Sequence, residues 1–245
     1  MMNKRLSIAI DDLALLRHML NDSDFDPVQF AVMCEIAGAQ GISMILAEDP
    51  RCLQERDAQL VKRVRKTFLN LRIPLEPQSV KIALTVHPDM VTFIELDKSA
   101  GISAMPVSVA SLQDSLSGML PDLRANNISV AVFCEPEVSA IKQLSRVQVD
   151  YVEFDCSDIT RAADSNEELV GLDKLQSAAQ VAAKLGLGVN LTGGIEYQHL
   201  PMLAAVPKVE DICMGLNLVK RALWVGVDRA VQEAQQQILF YQRQI

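Results

Sequence analysis

Short apolar segments of strand length recur eight times along this chain, each bounded by turn residues. They cover residues 6–10, 42–46, 69–73, 91–96, 128–134, 151–156, 187–191 and 211–215. Stretches with a helical period lie between them, over residues 27–39, 56–67, 77–85, 107–125, 136–144, 172–184 and 227–243. Pro27 after Asp26, and Pro136 after Glu135, are helix-start signals.

Strands that alternate with helices pair in parallel through right-handed crossovers, and eight repeats are the number that closes a barrel. The sequence therefore predicts an α/β fold, a (β/α)₈ TIM barrel with extra short helices, as a single domain over residues 1–245. An open doubly wound sheet would look similar over its first five units. No GxGxxG motif follows the first strand, which disfavours a dinucleotide-binding fold.

Composition limits the classes of partner. A net charge of −8 disfavours nucleic acid, and we interpret the one basic cluster, Lys62, Arg63, Arg65 and Lys66, as a solvated helix face. No segment offers the ~18 apolar residues of a membrane span. We expect a soluble, cytoplasmic protein that binds neither nucleic acid nor membrane.

The thiols and imidazoles form no recognisable site. Five cysteines occur without a CxxC pair, so we expect reduced thiols, no zinc knuckle and no disulfide framework. Cys52, Cys134 and Cys156 lie near predicted strand ends, and His18 and His199 are the histidines we place near the barrel mouth. We expect no metal and no organic cofactor.

Glycines near the C-terminus are the candidate phosphate site. In a barrel of this type the active face lies at the carboxyl ends of the strands. Gly193, Gly194 and Gly215, with Leu216 and Asn217 at the next helix start, could cradle phosphate through peptide N–H groups. The alternative is that the glycines only supply tight turns with positive φ.

Over its whole length the chain resembles the pyridoxine 5′-phosphate synthase family of vitamin B6 biosynthesis. The segments that carry the resemblance include IAIDDLALLR, LAEDPRCLQERDAQL, GLGVNLTGGIEY and MGLNLVKRAL. The resemblance implies an oligomeric (β/α)₈ barrel that condenses 1-deoxy-D-xylulose 5-phosphate with 3-amino-2-oxopropyl phosphate without metal or cofactor. Such a condensation needs proton shuttles, which histidine and glutamate supply near neutral pH.

This chain departs from the family pattern at the positions that carry the chemistry. The pattern has histidine, arginine, glutamate or asparagine at positions where this chain has Ala9, Asp12, Ile45, Ala47, Cys52, Arg72, Gly193 and Leu216. Arg72 stands at the position of the family's catalytic glutamate, which inverts the charge there. Ile102 to Pro106 replaces the family's TTEGG loop.

The retained polar residues that we expect to face a ligand are Asp11, Arg17 and Glu153, and Glu153 is the only retained catalytic candidate. Asp12 and Asp155 would make the mouth more acidic, which suits a cation or an amine. Arg72 either anchors a phosphate or neutralises the neighbouring acids, and we favour the second interpretation.

Three hypotheses follow. The first is a binding or regulatory barrel that has lost most synthase activity but binds a small phosphorylated metabolite and forms a homo-oligomer. The second is an enzyme, running the family reaction or a related one through a rearranged site. The third is a structural partner in a hetero-oligomer with an active paralogue.

Overall fold

A computed structural model describes residues 3–99, 102–108 and 112–244. Within these residues, eight parallel strands close into a barrel. One further short strand, the fifth along the chain, pairs antiparallel with the end of the fourth. The strands are β1 Arg5–Ala9, β2 Gly41–Ile45, β3 Phe68–Pro74, β4 Met90–Asp97, β5 Ser103–Met105, β6 Ser129–Cys134, β7 Tyr151–Asp155, β8 Gly188–Thr192 and β9 Val209–Met214. The pairing of β1 with β9 closes the barrel, so the predicted (β/α)₈ fold is confirmed.

Helices cover the outside of the barrel. They are α1 Asp11–Leu20, α2 Pro27–Ala37, α3 Glu55–Val64, α4 Pro77–Val86, α5 Leu112–Ala125, α6 Val138–Val147, α7 Ser157–Thr160, α8 Ser165–Lys184, α9 Leu200–Ala205, α10 Leu216–Val225 and α11 Val227–Tyr241. No helix in the described part of the chain has the length and apolar character needed to cross a membrane. Part of the predicted helix 107–125, at residues 109–111, lies outside the described residues.

The helix starts show which sequence signals were reliable. The Asp26 side chain accepts a hydrogen bond from the Val28 N–H at 2.9 Å, and Pro27 occupies the first turn of α2, as predicted. The predicted start at Pro136 was wrong, because α6 begins at Val138. The Glu137 N–H donates to the Glu135 carbonyl at 2.7 Å, so Pro136 belongs to a turn that precedes the helix.

The barrel interior is unusually polar. TIM-barrel interiors are dominated by branched aliphatic side chains, but here Asp211 accepts a hydrogen bond from Ser7 at 2.7 Å and pairs with Arg5 near the amino ends of the strands. Thr92 donates to Asn70 at 2.9 Å in the next layer. Aliphatic packing is instead concentrated between the outer faces of the strands and the helices.

Candidate functional site

A cavity of about 760 Å³ opens at the carboxyl ends of the strands. Its lining comes from the ends of almost all the barrel strands and from the loops that follow them. In this fold those loops form the functional face. The residues that line it include Ala9, Asp11, Asp12, Ile45, Arg72, Asp97, Phe133, Glu135, Asp155, Thr160, Arg161, Gly193, Gly194, Gly215, Leu216, Asn217 and Lys220.

The glycine turn after β8 is fixed by side chains from two neighbouring helices. Gly193 and Gly194 have φ values of +102° and +65°, so this turn needs the left-handed backbone that glycine allows. Thr160 donates to the Gly193 carbonyl at 2.9 Å, and the Asn217 amide donates to the Gly194 carbonyl at 3.0 Å. The predicted turn residues therefore lie together at the cavity rim.

Carboxylates lie beside two of the predicted phosphate-site glycines, Gly193 and Gly215. A Cβ built on Gly193 would lie 2.0 Å from Asp155 Oδ1, and one built on Gly215 would lie 3.6 Å from Asp12 Oδ2. Asp155 is held in place because the Ser157 N–H and hydroxyl donate to it at 3.1 and 2.5 Å. The space beside Gly193 is thus filled by Asp155.

Arg72 and Glu153 form an ion pair inside the barrel. Arg72 Nη2 lies 3.2 Å from Glu153 Oε1, and the two residues are 5% and 1% exposed. Arg72 lines the cavity floor, whereas Glu153 lies one layer deeper, among Ser43, Asn70 and Asn190. Burial raises the pKa of Glu153, and the opposing charge of Arg72 reduces that rise.

Asp11 is a half-buried acid beside the cavity floor. Its Oδ1 accepts a hydrogen bond from the Ile45 N–H. Burial raises the pKa of Asp11 to about 7, although the hydrogen bond from Ile45 and the charge of Arg72 both act to lower it. Asp12 lies nearer the rim, where burial raises its pKa and the charge of Lys220 acts in the opposite direction.

Arg17 lies away from the cavity. Its guanidinium is held by Asp57 through two hydrogen bonds, of 3.0 and 2.6 Å. Arg17 stays a predicted ligand residue; in the structure its two terminal nitrogens bind Asp57 at the start of α3. The bond between Arg17 and Asp57 joins α1 to α3.

Histidine is absent from the cavity lining within the described residues. His18 is exposed on α1, and His87 ends α4. His199 is buried, and its Nδ1 accepts a hydrogen bond from the Glu196 N–H at 3.1 Å, so it stabilises the start of a short 3₁₀ turn. Neither His18 nor His199 lines the cavity, although His199 contacts the backbone of Glu196, which does.

The cysteines are buried and not activated. All five are free, and burial raises the pKa of Cys52 and of Cys34 to about 12. A thiolate nucleophile needs a lowered pKa, so these thiols behave as small core residues. The described residues also contain no group of three or more histidine, cysteine or acidic side chains placed to hold a metal ion.

Sequence reasoning missed two cations of the cavity, Arg161 and Lys220. Lys220 Nζ donates to Asn217 Oδ1 at 3.2 Å, one helical turn into α10. Its position follows from the i, i+3 spacing on that helix, but the helix itself was not predicted. Arg161 lies at the C-terminal end of α7. This helix has four residues, too few to leave a periodic signal in the sequence.

Known proteins match the chain over nearly its full length. Residues 6–239 match the family described as "Pyridoxal phosphate biosynthesis protein PdxJ". Pyridoxine 5′-phosphate synthase of Geotalea daltonii is 34% identical over 229 residues, covering 94% of this chain and 96% of that protein. The synthase of Geobacter sulfurreducens is 34% identical over 234 residues, with the same two coverages of 94% and 96%.

Solved structures agree with the fold. The 3-keto-L-gulonate-6-phosphate decarboxylase of Vibrio cholerae superposes with a TM-score of 0.68 at 13% identity, covering 98% of this chain and 99% of that one. Thiamine phosphate pyrophosphorylase of Pyrococcus furiosus gives 0.60 at 14% identity, covering 96% and 95%. At such low identity these likenesses concern the barrel alone, whereas the sequence matches show that the chain belongs to the PdxJ family of pyridoxal phosphate biosynthesis proteins.

Proposed function

We propose that this chain is a PdxJ-family barrel that binds a small phosphorylated metabolite and has little or no pyridoxine 5′-phosphate synthase activity. The observation that carries the proposal is the cavity itself. In the described part of the chain no histidine lines it, and Arg72 occupies the position where the family resemblance places a catalytic glutamate. One general acid or base typically contributes roughly 10²–10⁴-fold to a rate, so removing one should lower the rate by that factor. The effects of removing several such groups need not multiply.

Glu153 does not replace the missing acid. It lies below the cavity and is 1% exposed, and Arg72 stands between it and the space where a substrate would sit. A general base has to come within hydrogen-bond reach of the proton that it removes. We therefore assign Glu153 to the structure of the barrel interior rather than to proton transfer.

The turn after β8 has also lost the room for the family's histidine. The resemblance places histidine at Gly193, but a Cβ there would meet Asp155 Oδ1 at 2.0 Å and the Cys156 nitrogen at 2.8 Å. The φ of +102° is one that residues with a side chain rarely adopt. Restoring that histidine would require Asp155 and the turn to move together.

Phosphate binding is supported by the donors at the rim. α10 begins at Leu216 with Gly215 as its N-cap and no capping side chain. The N–H groups of Leu218 and Val219 donate to the Gly215 carbonyl, which leaves those of Leu216 and Asn217 for an anion. Lys220 and Arg161 add positive charge to the same cavity. Asp12 and Asp155 oppose an anion at short range, which favours one phosphate group over two.

One observation favours a second candidate, a synthase or related enzyme that works through a rearranged site. Asp11 lines the cavity and its raised pKa, about 7, is suited to general acid–base catalysis near neutral pH. This candidate predicts that Asp11→Asn abolishes any turnover.

Incubation with both family substrates tests the proposal, with pyridoxine 5′-phosphate measured as product. A family synthase with its histidines intact, assayed in parallel, is the positive control. We expect no product above the level of the Asp11→Asn variant. Product at a rate near that of the control enzyme would overturn the loss of activity.

Ligand binding is measured separately from turnover. A ligand present at about 100 times its Kd stabilises the folded state by ~2.7 kcal/mol, which is readily seen as a rise in Tm. We expect glycerol 3-phosphate to raise the Tm, and no rise at millimolar concentration would contradict phosphate binding.

A further inference from the structure

We propose that Arg72 is an anchor for a carboxylate on the cavity floor, so that the ligand is a phosphorylated carboxylic acid. This inference rests on the proposed function, because it assumes that the ligand's phosphate group lies at the rim near Gly194 and Lys220. It adds a second anionic group at the other end of the same cavity.

The hydrogen-bonding state of Arg72 is the first support. Its guanidinium is buried, yet among the described residues neither Nε nor Nη2 has a hydrogen-bond partner. The 3.2 Å contact with Glu153 is close enough for an ion pair but lacks hydrogen-bond geometry. A buried donor without a partner is costly, so a ligand that supplies the acceptor is favoured.

The shape of the guanidinium selects the kind of acceptor. Arginine presents its N–H groups as a planar fork that matches the two oxygens of a carboxylate. Arg72 lines the cavity directly, so a ligand reaches it without passing Glu153. Glu153 lies below the guanidinium, with Oε1 3.2 Å from Nη2, so a ligand in the cavity approaches Arg72 from the side away from Glu153.

The surroundings of Arg72 strengthen such a contact. The Phe133 ring lies 5.0 Å from Arg72 Cζ, and the buried side chains of Ala9 and Ile45 line the same floor. Apolar neighbours lower the local dielectric and so raise the strength of a charge-assisted hydrogen bond. The rim differs in carrying four charged side chains, Asp12, Asp155, Arg161 and Lys220.

Charge balance limits the ligand to one carboxylate at this end. Glu153 already offsets part of the positive charge of Arg72, and Asp11 lies close enough to interact with it electrostatically. Burial raises the pKa of both acids, so each takes up a proton more readily than an exposed carboxyl group when an anion arrives. A cavity of about 760 Å³ has room for a ligand that spans the floor and the rim.

Two probes of equal carbon number test the inference by calorimetry, 3-phosphoglycerate and glycerol 3-phosphate. They share the phosphate and differ in the carboxylate. We expect 3-phosphoglycerate to bind about tenfold or more tightly than glycerol 3-phosphate, as a charge-assisted hydrogen bond would give. Equal binding of the two probes would overturn the inference and leave the proposed function standing, whereas binding of neither would count against both.

Variants assign the preference to Arg72. Arg72→Met together with Glu153→Gln removes the guanidinium without leaving a buried carboxylate unpaired, and we expect it to bind both probes equally. Glu153→Gln alone retains Arg72 and is the matched control, so it should keep the preference. Arg72→Lys keeps the charge but loses the fork, and we expect a reduced preference. A double variant that still prefers 3-phosphoglycerate would overturn the assignment.

Discussion

At the residue scale, the Arg72–Glu153 pair shows how one charge reversal reorganises a barrel interior. Both groups lose hydration on burial, and their mutual attraction offsets that loss only in part, because the 3.2 Å contact lacks hydrogen-bond geometry. The pair is therefore a weak contributor to stability as a unit. Either partner alone would be strongly destabilising.

Arg72→Met is expected to lower the free energy of unfolding by about 3–5 kcal/mol, because it leaves the Glu153 carboxylate buried without a partner. Adding Glu153→Gln removes that charge, and we expect the double variant to recover most of the loss. Urea unfolding at pH 8 measures both. A double variant as unstable as Arg72→Met would show that the guanidinium stabilises the barrel through packing rather than through its charge.

Asp11 makes stability depend on pH. Its folded-state pKa of about 7 lies above the ordinary value of 3.8, so between these two pH values the folded chain binds more protons than the unfolded chain. Stability from this group therefore falls as pH rises from about 4 to about 7, by up to about 1.4 kcal/mol per pH unit. Above pH 7 its contribution is constant.

Asp11→Asn is expected to remove this dependence while keeping an oxygen that accepts from the Ile45 N–H. The gain in Tm over the unmodified chain should be larger at pH 8 than at pH 5. Glu153 and Asp211 also have raised pKa values, so the pH profile of one protein contains their contributions as well. The difference in Tm between the variant and the unmodified chain gives the contribution of Asp11 alone. An equal difference in Tm at both pH values would contradict the shift.

At the element scale, the rim depends on a link between the turn after β8 and the start of α10. The Asn217 amide donates to the carbonyls of Gly194 and Ile195 at 3.0 and 3.3 Å. These two bonds fix the glycine turn against the helix whose N-terminus faces the cavity. The turn and the helix therefore form one unit at the proposed phosphate site.

Asn217→Ala should release the turn from α10 and cost about 1 kcal/mol of stability for a partly exposed hydrogen bond. We expect the increase in Tm produced by glycerol 3-phosphate to shrink as well. Gln232→Ala is a suitable control, since it removes a hydrogen bond of 2.9 Å to Asp228 on the surface of α11, outside the cavity lining. An undiminished shift in Asn217→Ala would show that the link does not shape the site.

Strands were easier to predict from the sequence than helices, for a local reason. Each buried parallel strand is an apolar run with turn residues on both sides, so all eight were found within two residues of their bounds. α1 and α10 were missed because they start at the strand ends behind Ile10 and Gly215, without a capping side chain. A helix without a start signal leaves little trace in the sequence.

The sequence predicted which strand ends form the site, but not which side chains line the cavity and which lie below it. Glu153 and Asp155 point to the same side of β7, two residues apart, which is about 6.6 Å along the strand. That spacing puts Asp155 on the cavity lining and Glu153 below it. The contact between Glu153 and Arg72 crosses the barrel between β7 and β3, and sequence spacing does not report such contacts.

At the scale of the whole molecule, the outer surface carries apolar side chains that this chain does not cover. Leu223 and Trp224, at the end of α10, are 77% and 85% exposed, and Leu169 and Val170 on α8 are 61% and 70% exposed. Exposed apolar patches mark interaction sites, and tryptophan is enriched where binding energy concentrates. The oligomer implied by the family resemblance would place such residues at an interface.

We expect the chain to form a homo-oligomer that buries the Leu223 and Trp224 pair against a second copy. Changing both residues to lysine should lower the mass measured by light scattering after size exclusion, because two charges cannot be buried unpaired at an interface. The matched control changes Leu169 and Val170 to lysine, a pair of similar exposure on α8, and should leave the mass unchanged. Dissociation by the control but not by the α10 variant would place the interface on α8, and a monomeric parent chain at every concentration would refute the assembly itself.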